Sequence, residues 1–76
     1  VATQVYPNPV SGRHLHLSGP LHFSLFRLLD MQGRCTATGP VVQDSLMLPE
    51  QLRAGMYLLQ LQGQDGRLVN LRIQKL

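Results

Sequence analysis

Gly55-Met56-Tyr57-Leu58-Leu59-Gln60-Leu61-Gln62 decides the fold class. Tyr57, Leu59 and Leu61 fall on one side of a two-residue repeat, while Met56, Leu58, Gln60 and Gln62 take the other, which turns polar toward its end. The first face is built for burial. Leu58 beside Leu59 predicts that the first half of the strand is covered on both sides, as in the middle of a sheet. Gly55 lets the backbone turn sharply out of residues 48–54. Within that segment Pro49-Glu50-Gln51-Leu52 predicts one short helical turn near 49–53, with proline at its first position and Leu52 folded back over the core.

Working outward, Gly63-Gln64-Asp65-Gly66 reads as a hairpin loop, and Val69, Leu71 and Ile73 then alternate with Asn70, Arg72 and Gln74 in a last strand. Upstream, Val5-Tyr6-Pro7-Asn8-Pro9 is extended because a residue before proline is pushed out of the helical region. Prolines cannot donate to a ladder, so this is an edge strand. Arg13 to Ser18 places Leu15 and Leu17 inside and His14 and His16 outside. From His22 to Met31 the apolar phase shifts from Phe23 and Leu25 to Phe26 and Leu28, so that strand bulges or its first residues belong to a loop. Asp30-Met31-Gln32-Gly33 is a turn, and Arg34 to Thr38 runs back with Cys35 and Ala37 in phase as small buried residues until Gly39-Pro40 breaks the strand. Gln43 to Leu48 supplies another strand, with Leu46 and Leu48 inward. The expected architecture is all-β, a seven-stranded antiparallel immunoglobulin-like sandwich.

At 76 residues the chain holds one core, and a domain this small has a thin stability margin. A deep substrate cleft would compete with that core for side chains, which speaks against an enzyme. The formal charge of +3 comes from cations spread along the chain, and the two Tyr and two Phe mostly fall at inward positions. Nucleic-acid platforms need a basic stripe interleaved with exposed aromatics, so none is expected. One cysteine cannot form an internal disulfide. No apolar run approaches membrane-spanning length. The missing initiator Met suggests a piece of a longer protein, with residues 1–4 as linker from a body before Val1.

No catalytic, cofactor or metal residues are assigned. His14 and His16 share a strand face, and His22 could join them, but no Cys, Asp or Glu lies near in sequence to complete a site. No serine sits in a nucleophile-elbow context, and no glycine run precedes a helix to cradle phosphate.

Four segments in order carry a resemblance. Tyr6-Pro7-Asn8-Pro9 with Gly12 and Leu15-His16-Leu17 resembles the opening of the type A C-terminal sorting domains of the Bacteroidetes type IX (Por) secretion system. Leu28-Leu29-Asp30-Met31-Gln32-Gly33-Arg34 is similar to that family's middle motif, an apolar strand ending in Asp, two more residues and Gly-Arg. Leu52-Arg53-Ala54-Gly55-Met56-Tyr57 resembles its Leu-x-x-Gly-x-Tyr motif, and Ile73-Gln74-Lys75-Leu76 its basic, apolar end. The match runs from Val5 to Leu76; one departure is Leu29, where many members carry an aromatic.

The resemblance implies a secretion signal rather than an enzyme. Its cargo lies upstream in the same chain, and its partners are the outer-membrane translocon and a sortase-like peptidase that removes the domain and can join the cargo to anionic lipopolysaccharide. The expected location is the periplasm in transit and then the cell surface or medium, with the domain a monomer. By position the motif residues are Tyr6, Pro7, Asn8, Pro9, Gly12, Asp30, Gly33, Gly55, Tyr57, Lys75 and Leu76. Lys75 has no folding duty visible in the sequence, which marks it for direct recognition, and deleting Lys75 and Leu76 is expected to leave the fold intact. The alternative is a carbohydrate-binding or adhesive β-sandwich module, which would present exposed aromatics to sugar rings.

Overall fold

The computed structural model describes residues 3–76, so half of the expected linker, Val1 and Ala2, lies outside the described residues, while Gln4, read as linker, instead opens the first strand. Seven strands follow one another: β1 (Gln4–Tyr6), β2 (His14–Ser18), β3 (Leu25–Leu29), β4 (Cys35–Pro40), β5 (Ser45–Met47), β6 (Gly55–Gln62) and β7 (Leu68–Lys75). They form two antiparallel sheets, ordered β1-β2-β5 and β4-β3-β6-β7. The alternation in β6 is realised as read. Tyr57 is nearly buried and Leu59 and Leu61 fully so, with β3 on one side of the strand and β7 on the other. Leu15, Leu17 and Leu46 from the smaller sheet meet Phe26, Leu28, Leu59, Leu61 and Ile73 from the larger one in a single hydrophobic cluster. Burial of each such side chain contributes about 1.5–3 kcal/mol.

Several local expectations are corrected. Among the described residues there is no helix, and Pro49–Leu52 is one turn closed by Leu52 N–H to the Pro49 carbonyl at 3.4 Å. The Arg53 carbonyl, which a continuing helix would offer to the backbone of residue 57, accepts instead from the Tyr57 hydroxyl at 2.8 Å. The outer face of β6 is not covered by another layer, for Met56 is 40% exposed and Leu58 half-buried. Of the two readings of residues 22–31 the loop holds: Phe23 reaches the core from the segment before β3, and Leu25, the first residue of the strand, points outward.

Cys35 is exposed rather than buried. The cause is a bulge: Leu28 pairs with Ala37 and Leu29 with Cys35, so Thr36 is an extra residue and the side chains beyond it change face. Thr36 Oγ1 donates to the Leu28 carbonyl at 3.1 Å. Gly39 and Pro40 continue β4 instead of ending it. A Cβ on Gly39 would stand 2.8 Å from the Phe26 ring, so only glycine clears that core aromatic. Pro40 is tolerated because β4 lies at the edge of its sheet.

The fifth strand is shorter than expected, since Gln43 and Asp44 form a turn. Their φ angles are +52° and +60°, and Val42 and Ser45 exchange backbone hydrogen bonds of 2.9 and 3.0 Å across it. Two-residue reversals of this hand favour Asn or Gly because other side chains crowd the backbone there. Gln43→Asn should therefore raise stability by about 0.5–1 kcal/mol, read as a higher urea midpoint at unchanged slope.

Candidate functional site: the end of the sandwich where the motifs meet

After β1 the chain leaves the smaller sheet and crosses to the open edge of β7. Asn8 bonds there first, its Nδ2 donating to the Arg72 carbonyl and its Oδ1 accepting from Gln74 N–H, both at 3.0 Å and the latter 66 positions away in sequence. The side-chain amide thus stands in for a strand residue. Two residues on, Val10 is fully buried and bridges Lys75 in parallel, with Val10 N–H to the Gln74 carbonyl at 2.8 Å and Leu76 N–H to the Val10 carbonyl at 2.9 Å.

Lys75 consequently has a folding role, contrary to the reading from sequence. It pairs with Gly55 across the β6–β7 ladder, and its half-buried side chain donates from Nζ to the Ser11 carbonyl at 3.2 Å and the Leu76 carbonyl at 3.0 Å. Deleting Lys75 and Leu76 removes this junction, so the loss is larger than that of a frayed end.

The third motif lies alongside. Gly55 has φ +148°, which strains any side chain, and two residues later Tyr57 anchors the start of β6 through its hydroxyl. The middle motif reaches the same end because Leu29, at the finish of β3, pairs with Leu58 near the start of β6. Asp30 then closes its turn: Oδ1 accepts from Gln32 and Arg34 N–H, and Oδ2 from Arg34 Nε, all at 2.9 Å, while Gly33 takes φ +87°. These bonds, led by the Arg34 backbone N–H, hold the Asp30 carboxyl below the usual carboxylate range against a smaller opposing effect of desolvation.

The opening motif also leaves side chains free. Tyr6 is 51% exposed, with its ring 5.4 Å from that of His16, and Pro7, Pro9 and Gly12 are exposed. Gly12 has open space around a would-be Cβ and no positive φ, so neither crowding nor backbone conformation requires glycine there. Leu76 is 58% exposed.

At the opposite end, a recess of about 370 Å³ lies between residues 20–24 and the loop after β6, lined by Leu21 and Phe23 together with His22, Asp65 and Arg67. Among the described residues, no three of His, Cys, Asp and Glu group to hold a metal ion. No family model matches the chain, and no curated protein matches it.

Sequence reading missed the side-chain clasp of Asn8, the Val10 bridge and the hydroxyl bond of Tyr57. The prolines around Asn8 marked only an extended edge segment, and nothing local pointed across to β7.

Asn8→Ala should cost about 1–2 kcal/mol by urea unfolding, the worth of two backbone-directed hydrogen bonds, and should speed hydrogen exchange at Gln74 N–H. For Asp30, a depressed carboxyl pKa in the folded chain stabilises it above the unfolded value and fades as pH falls through the folded one. The stability gap between the natural chain and Asp30→Asn should therefore be constant above about pH 5 and close below about pH 4, followed by urea midpoints.

Proposed function

We propose that the chain is a type A C-terminal sorting domain, a signal that directs upstream cargo through a type IX outer-membrane translocon. The carrying observation is convergence. Four sequence motifs spread from Tyr6 to Leu76 meet at one end of the molecule, linked by the Asn8 and Val10 bonds to β7, the Gly55–Lys75 pair and the Leu29–Leu58 pair. A receptor docking on that end reads all four together. Partners in this reading are the translocon, then a sortase-like peptidase acting upstream of the domain, with the cargo destined for the surface or medium.

An immunoglobulin-like assignment is supported by three features. The strand orders β1-β2-β5 and β4-β3-β6-β7 follow the order of such sandwiches. The opening segment switches from one sheet to a parallel bridge with the last strand. The Tyr57 hydroxyl bonds backwards onto the Arg53 carbonyl at the start of the penultimate strand, the arrangement known as a tyrosine corner.

A second reading, a carbohydrate-binding or adhesive module, is favoured by the recess at the far end, whose polar lining of His22, Asp65 and Arg67 could hydrogen-bond a ligand. It leaves the convergence of the motifs without a role.

The test fuses a reporter with an N-terminal export signal ahead of this domain in a type IX-competent bacterium. The intact domain should carry the reporter to the surface or medium. Lys75→Gln, which keeps the backbone junction but loses the Nζ bonds, should lower the melting temperature of the purified domain by only a few degrees and trap the reporter in the periplasm. Retention with the intact domain would overturn the sorting role, and normal export of Lys75→Gln would confine Lys75 to folding.

A further inference from the structure

His14 and His16 lack a third ligand in the sequence, and the strand register supplies one of a different chemical type. β2 pairs with β5 so that His14 faces Met47 directly, with His16 opposite Ser45. Leu15 and Leu46, opposed between them, point into the core, so His14, His16 and Met47 share the outer face of the smaller sheet. Directly opposed residues have Cβ atoms about 4.5–5.5 Å apart, and residues two apart on a strand lie about 6.6 Å apart. Two imidazoles and a flexible thioether thus rise from a triangle that their tips can close over one ion.

We propose that His14, His16 and Met47 form a surface site for a soft monovalent metal ion, Cu(I). Zinc takes four nitrogen, oxygen or thiolate ligands, whereas a thioether beside imidazoles selects Cu(I). Met47 is 47% exposed on a three-residue edge strand, where a methionine gains little from core packing. Neither ring hydrogen-bonds to a described residue, in contrast to His22, which lies 3.4 Å from Asp44 Oδ1. Tyr6 flanks the ring of His16 at 5.4 Å and limits its swing. The nearest cation in sequence, Arg13, is held on the Leu48 carbonyl at 3.1 Å. The site is independent of the sorting role.

Cys35 is an exposed thiol and a rival soft ligand, so the test uses the 76-residue chain carrying Cys35→Ser. Cu(I) is titrated without oxygen against a chromogenic chelator, and Ag(I) serves as a redox-inert stand-in for NMR. One equivalent should bind, shifting the Met47 methyl and the ring resonances of His14 and His16 together. Met47→Leu and His14→Ala should each weaken Cu(I) binding at least about tenfold with little change in melting temperature, while Met31→Leu and Met56→Leu leave it as it was. Unchanged affinity in Met47→Leu, or shifts centred on Met31, Met56 or His22, would overturn the site.

Discussion

Closure of the two sheets rests on one short crossing. Residues 7–11 leave β1, and within that span the Asn8 side chain and the Val10 backbone take up the hydrogen-bonding edge of β7. The fully buried Val10 side chain enters the core at that point. A sheet edge left bare would carry unpaired backbone groups and invite another strand. Here the opening segment caps the edge of β7, so ordering of the one supports ordering of the other. A chain this small has no second core to hold either sheet in place.

That dependence changes the meaning of the motif residues. Asn8, Gly55, Tyr57 and Lys75 all have structural duties: a surrogate strand residue, a positive φ, a hydroxyl anchor and a ladder pair. Folding alone accounts for these four residues before any receptor is invoked. What remains for recognition is the surface they leave exposed, with Tyr6, Pro7, Pro9, Gly12 and Leu76 prominent on it and the half-exposed Lys75 side chain beside them. In the proposed sorting role the receptor would respond to a completed end of the sandwich more than to a linear string, because the four segments adjoin only after the fold has closed.

Irregularities are concentrated where strands change course. The Thr36 bulge turns Cys35 to solvent, and Gly39 gives the Phe26 ring its clearance. The Gln43–Asp44 reversal passes the chain from the larger sheet to the smaller with two non-glycine residues at positive φ. The outer face of the smaller sheet stays regular, which is why the register across β2 and β5 can place His14, His16 and Met47 together.

Strict alternation made the core legible from sequence: Leu15, Leu17, Leu46, Tyr57, Leu59, Leu61 and Ile73 face inward because burial of one sheet face requires every second residue to be apolar. Turns at Asp30–Gly33 and Gly63–Gly66 were equally readable, since their residues meet local backbone demands. Non-local pairing was not. That Asn8 would find Arg72 and Gln74, that Lys75 would have a folding role, that Cys35 would face outward and that Met47 would stand opposite His14 each depend on sheet register or on a side chain meeting backbone far away in sequence. Local composition sets which face of a strand is buried, while only the assembled sheets decide which residues become neighbours across them.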